Sequence, residues 1–200
     1  MELKAVIESR RSIRKFLPDP IPEEYIHQIL EAARLAPSGG NIQPWRFVII
    51  KSKEAREKLK DFTLGFVASA PVIVVCCSDL DANRSYRERY KELKQAGAFE
   101  GVVFDAPQAS NERAASMNED QIRGYTNLNT AIAVENMVLR ATDLGLGSCW
   151  VMMFNRRELA GWLQLDDNLY PVCLLPIGFA DQKPHPRPRK TLEEIIIKEV

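Results

Sequence analysis

The stretch YTNLNTAIAVENMVLRATDLGLG, residues 125–147, decides the fold. Leu128, Ala131, Ile132, Ala133, Val134, Met137, Val138, Leu139 and Ala141 recur at helical spacing and cover more than one stripe. A helix that is apolar on most sides has to be buried, either in a core or against a second chain. The spacing predicts a helix over 125–143, which Gly145-Leu146-Gly147 then stops.

Outward from this helix, short elements of both kinds follow. Val72-Ile73-Val74-Val75-Cys76-Cys77 is an unbroken apolar run, the pattern of a strand covered on both faces. Phe47-Val48-Ile49-Ile50 reads as a strand, as do Ser148 to Met153 and Val172 to Gly178, the last interrupted by Pro176. Leu3, Val6 and Ile7 suggest a short amphipathic helix ending near Ser9. Pro22 suits the first turn of a second helix, with Glu23 and Glu24 at its positive end and Ile26, Ile29, Leu30, Ala33 and Leu35 on its apolar face. Surface helices are expected over 54–60, 81–95 and 156–163. Residues 96–120 read as irregular. Thr191 to Glu194 fits a capping box, whereas Ile195-Ile196-Ile197 suits a strand equally well. Helices and strands do not alternate regularly, so the fold class is α+β in a single domain.

Composition narrows the function classes. Lys+Arg and Asp+Glu each total 27, so the net charge is zero and nothing global attracts nucleic acid or an anionic membrane. No stretch approaches the roughly 18 apolar residues of a membrane helix, and no signal peptide is read at the N-terminus. The four cysteines include no C-x-x-C pair, which suits buried thiols in a cytoplasmic protein. With only two histidines, His27 and His185, a histidine metal centre or a Ser-His-Asp triad has little to draw on. No G-x-G-x-x-G follows a strand, which weakens a dinucleotide-binding Rossmann reading.

Four pieces carry candidate chemistry. Arg10-Arg11-Ser12-Ile13-Arg14-Lys15 places four cations and a hydroxyl in six residues, and the arginine fork suits phosphate or a polarised carbonyl. Taken alone, such a run is more often a solvated basic turn. Pro37-Ser38-Gly39-Gly40-Asn41-Ile42-Gln43-Pro44-Trp45 offers glycines for close backbone approach and neutral donors beside them, although a plain helix-to-strand turn uses the same residues. Trp45 reads as packing. Pro186-Arg187-Pro188-Arg189-Lys190 is extended, so Arg187 and Arg189 share a side as a phosphate clamp or as a basic tail. Ser148 to Phe154 is uncharged, so any chemistry there must use backbone N–H groups.

In this order and at these distances, the Arg10–Phe16 run, the Ala36–Trp45 block, the Leu144–Gly147 turn and the terminal Arg187–Lys190 resemble the nitroreductase family of FMN enzymes. The resemblance spans nearly the whole chain. It implies a central, mainly antiparallel sheet flanked by helices, in an intertwined homodimer with the long helix at the interface. FMN would sit in clefts built from both chains. Arg10, Arg11, Ser12 and Arg14 of one protomer, with Arg187 and Arg189, would hold phosphate, and Arg14 would face the flavin's pyrimidine side. Pro37, Ser38, Gly39, Asn41 and Gln43 would reach the same flavin from the other protomer. Val151, Met152 and Met153 would run beside the ring and offer an N–H to its N5.

The implied activity is ping-pong hydride transfer through N5, from NADH or NADPH to small nitroaromatic, quinone or similar acceptors. No protein nucleophile is needed. Reductive dehalogenation, flavin or heterocycle oxidation, and flavin binding without turnover are the alternatives. The sequence departs from the family at the apolar Phe62–Phe66, where Thr63 is the lone polar candidate. Asn129 stands where many members carry an acidic residue. Residues 84–124 match no family feature and occupy the place of a variable lid that shapes the substrate pocket; Tyr86, Tyr90, Phe99, Phe104 and Tyr125 are candidate pocket aromatics, with core packing the favoured reading of each.

Overall fold

A computed structural model describes residues 1–101 and 117–200. Residues 102–116, with Phe104 and most of the segment expected to be irregular, lie outside the described residues. The elements are α1 (Leu3–Ser9), α2 (Glu23–Arg34), β1 (Trp45–Ile50), α3 (Lys53–Leu59), β2 (Val72–Asp79), α4 (Tyr86–Gln95), α5 (Glu119–Asp143), β3 (Gly147–Ser148), α6 (Arg156–Trp162), β4 (Leu169–Gly178) and α7 (Leu192–Ile195). The four strands form one antiparallel sheet in the order β1-β2-β4-β3.

The apolar run in β2 is explained by two cores. Val72, Val74 and Cys76 face one cluster, which α2 and α5 supply with Ile29, Ala33, Val134 and Met137. Ile73, Val75 and Cys77 face a second, closed by Leu59, Val67 and Leu159. Alternation along the strand sends successive residues to opposite faces, so a strand sandwiched by helices has no polar side. Each buried Val or Ile contributes about 1.5–3 kcal/mol. The Ser78 and Thr130 hydroxyls share a buried hydrogen bond of 2.8 Å, fixing the register of α5 over the sheet.

Four expectations need correcting. The long helix starts at Glu119, six residues before the apolar pattern, because Asn118 and Gln121 form a reciprocal capping box. It ends as expected: Gly145 takes a φ of 78°, and the Leu146 N–H reaches the Ala141 carbonyl at 2.8 Å. The strand expected over 148–153 shrinks to Gly147–Ser148 plus a single bridge from Val151 to Leu174. Conversely, β4 runs unbroken through Pro176. Its outer edge pairs Ile177 and Gly178 with β3 and Leu174 with Val151, leaving no partner there to need a Pro176 donor. Finally, Leu35 is exposed, not part of the buried face of α2. The tail resolves as the short helix α7 with its Thr191–Glu194 capping box.

Candidate functional site

Residues 10–17 leave α1 in extended form and run beside the end of the sheet. The Ile13 N–H donates to the Ser148 carbonyl at 2.9 Å and the Leu17 N–H to Phe179 at 2.9 Å, while the Asp181 N–H returns to Lys15 at 2.9 Å. A Lys15–Asp181 ion pair of 2.7 Å reinforces the seam. The beginning of the chain is thus stitched to residues 179–181, the start of the basic tail.

Extended backbone sends alternate side chains to one side. Arg10, Ser12 and Arg14 accordingly share the side of the segment near Cys149. Burial pushes the Cys149 thiol up, and Arg14, a Ser12 hydrogen bond and Arg10 oppose that shift. Arg11 turns the other way, and its Nη1 donates to the carbonyls of Glu8 at 2.7 Å and Arg10 at 2.8 Å. Its charge therefore rests on the C-terminal end of α1. A cavity of about 350 Å³ opens between Arg10, Gly145, Gly147, Gln182 and Lys183. Arg187 and Arg189 are exposed and form no ion pair among the described residues. The structure joins Arg10, Ser12 and Arg14, and it leaves the tail arginines in solvent in the single chain.

The loop 37–43 is wound tightly. Gly40, Asn41 and Gln43 have φ of 58°, 54° and 46°, all in the left-handed region. The Ser38 hydroxyl accepts from the Gln43 N–H at 3.0 Å, and Gln43 Nε2 reaches Asn41 Oδ1 at 3.2 Å. Arg46 donates to the Gln43 carbonyl at 3.0 Å and to Asp79 at 2.8 Å. The Gly39 N–H donates to Asn129 Oδ1 at 2.8 Å. Tyr125 and Tyr86 lie directly against Gly39 and Gly40, where a Cβ would fall 1.9 Å and 2.2 Å from them. Burial, then the neighbouring Tyr86, pushes the Tyr125 hydroxyl up. Among the described residues, no hydrogen bond or ion pair links this loop to residues 10–14 or 151–153.

The segment after β3 carries a pair of free donors. Val151 differs from expectation: it is buried, and its N–H and carbonyl both pair with Leu174, at 3.0 Å and 2.9 Å. Met152 and Met153, by contrast, have N–H groups with no partner among the described residues and are 59% and 71% exposed. The Thr63 hydroxyl donates to the Met153 carbonyl at 2.9 Å, which holds this segment from the far side.

The family model described as the Nitroreductase family matches residues 7–179. The chain belongs to the nitroreductase family. This nitroreductase is 31% identical over 199 residues to a Streptococcus pyogenes protein provisionally named an NAD(P)H nitroreductase, with 98% of each chain covered. It is 29% identical to a Pseudomonas putida protein named 4-nitrobenzoate reductase, covering 90% of this chain and 86% of that one. A crystal structure from Exiguobacterium sibiricum, in complex with FMN, shares the fold at a TM-score of 0.85 and 23% identity, with 100% and 98% of the chains covered. No helix among the described residues is long and apolar enough to cross a membrane.

Sequence reasoning missed three site residues. Asn129 is buried inside an apolar helix, but nothing in the sequence sets it apart from Asn127 and Asn136 of the same helix. Arg46 and Arg156 carried no signal either: Arg46 meets Asp79, and Arg156 Nε the Pro171 carbonyl, only once the chain is folded.

Proposed function

We propose that this nitroreductase is an FMN-dependent oxidoreductase that uses NADH or NADPH to reduce small nitroaromatic, quinone-like or similar acceptors. The observation that carries the reading is local. Arg10, Ser12 and Arg14 lie on one side of an extended segment near Cys149, and Met152 and Met153, three and four residues past Cys149, carry two unpaired N–H groups. Such a set fits FMN: cations for phosphate and pyrimidine, and donors for a ring nitrogen. Bound FMN would supply the redox chemistry, taking hydride from the reduced nicotinamide and passing two electrons to the acceptor in a second half-reaction.

The residues then divide the work of binding and charge stabilisation. Arg10 and Ser12 hold the phosphate, with Arg187 and Arg189 closing on it. Arg14 stabilises negative charge at the pyrimidine edge. Met152 and Met153 present N–H groups to the ring edge. Loop 37–43 approaches from a second copy, which accounts for its lack of bonds to residues 10–14 in one chain.

An absorbance spectrum of the purified protein, followed by anaerobic addition of NADH or NADPH, tests this. A flavin spectrum that bleaches with either nucleotide and recovers with a nitroaromatic is expected. Absence of flavin, or flavin that neither nucleotide bleaches, overturns it.

A further inference from the structure

The Met152–Met153 peptide is planar, so its carbonyl and the Met153 N–H point in opposite directions within one rigid unit. Whatever holds the Met152 carbonyl therefore aims the Met153 N–H. That carbonyl is met by Arg156 Nη2 at 3.4 Å, while Arg156 Nε donates to the Pro171 carbonyl at 3.2 Å. The guanidinium also lies 4.7 Å from the Phe154 ring centroid and 5.9 Å from that of Tyr170. Four contacts fix the fork in place, and among the described residues no carboxylate pairs with it. The preceding peptide is held differently: the Val151 carbonyl, which shares a plane with the Met152 N–H, accepts from Leu174 at 2.9 Å.

We infer that Arg156 is a positioning residue that aims and polarises the Met153 N–H through the Met152 carbonyl. The inference rests on the flavin reading only for what the N–H is aimed at. A cation hydrogen-bonded to a carbonyl draws charge along the amide and strengthens its N–H as a donor. The two neighbouring donors thus differ in kind. The Met152 N–H is set by a neutral strand contact, and the Met153 N–H by a charged side chain.

The test is Arg156→Met, with Arg156→Lys beside it, in the purified protein with whatever flavin it carries. Amide resonances and hydrogen exchange of Met152 and Met153 are read first. Arg156→Met should shift the Met153 amide and speed its exchange several-fold while leaving Met152, still anchored by Leu174, unchanged. In flavin-loaded protein the flavin midpoint potential should fall, and anaerobic reduction by NADH or NADPH should slow about tenfold. Arg156→Lys should recover part of both effects, since an ammonium can reach the Met152 carbonyl but cannot bridge to Pro171. An unmoved Met153 amide, or equal disturbance of both amides, overturns the inference. Should the purified protein hold no flavin, the functional reading fails, while the amide comparison still decides the role of Arg156.

Discussion

The Gly39 N–H and the Asn129 side-chain oxygen, ninety residues apart, meet at 2.8 Å and tie the glycine loop to the central helix. Asn129 is satisfied at both ends, since its Nδ2 donates to the Tyr125 carbonyl at 2.8 Å. Asn129→Ala leaves the Gly39 N–H of this part-buried pair without its protein partner, which costs about 0.5–1.5 kcal/mol, the net worth of one hydrogen bond. Urea denaturation should register that loss, and hydrogen exchange should quicken across residues 37–43 more than across β2. A loss of stability with loop exchange unchanged would show that Asn129 supports the helix and not the loop.

The two glycines of that loop should not be equally sensitive. Gly40 combines a φ of 58° with the edge of the Tyr86 ring 2.2 Å from a would-be Cβ. Gly40→Ala therefore carries a left-handed penalty of about 1–2 kcal/mol plus a clash that only a shift of Tyr86 relieves. At Gly39 the obstacle is the far end of a side chain, the Tyr125 hydroxyl. Gly39→Ala should cost less, and Tyr125→Ala in the same chain should remove most of that cost. Thermal unfolding of the three variants checks the order; Gly39→Ala proving the more damaging would contradict it.

The periodicity of residues 125–143 and the double-faced run at 72–77 sufficed for the α+β fold, because burial writes itself directly into spacing. The seam between residues 13–17 and 179–181 did not show, since it is made chiefly of backbone bonds that any side chains permit. Arg10, Ser12 and Arg14 were singled out by the resemblance to the family, with Arg11 counted beside them; alternation along extended backbone separates the two cases. The same alternation takes Arg11 away from them, a distinction hidden by reading the cluster as a block of charge. The opposite fates of Val151 and its two neighbours depend on where β4 ends its pairing, which is settled only by the folded sheet.

Arg14→Ala tests the electrostatic role assigned to the basic segment. Removing the cation leaves Ser12 and Arg10 in place, so some FMN should remain bound. The expected result is a weaker flavin affinity or reduction by NADH or NADPH slowed on the order of tenfold to a hundredfold. Flavin titration and anaerobic stopped-flow measure the two separately. Unchanged values for both would remove Arg14 from the site.

The buried thiols make an alkaline prediction. Burial, then the charge of Cys173, pushes Cys77 from its ordinary 9.0 up to about 12. Cys76, directly opposite Cys173 in the sheet, shifts in the same direction, chiefly through burial. Between 9.0 and about 12 the native chain keeps a proton that the unfolded chain releases. Stability is therefore full below the unfolded value and falls as pH rises through that window, by up to about 1.4 kcal/mol per unit for one thiol. Chemical denaturation at pH 8, 9 and 10 should show the decline, and Cys77→Ala should make it shallower, with Cys76 keeping the remainder. A slope that Cys77→Ala leaves unaltered would place the alkaline sensitivity elsewhere.

The long helix leaves apolar residues uncovered, and that bears on the proposed pairing of two chains. Leu128 is 64% exposed and Ile132 38% exposed on α5, and Leu3 and Ile7 of the neighbouring α1 are 65% and 55% exposed. An isolated apolar side chain at a surface is ordinary, whereas several on adjoining helices suit a contact with another copy. If loop 37–43 of one copy completes the site of the other, separation of the chains removes flavin as well as contact area. Leu128→Glu should therefore shift sedimentation from dimer toward monomer and release FMN in parallel, with the monomer still folded by circular dichroism. Wild-type protein that sediments as a monomer with flavin bound would defeat the two-chain site. A Leu128→Glu dimer that retains its flavin would move the interface to another face.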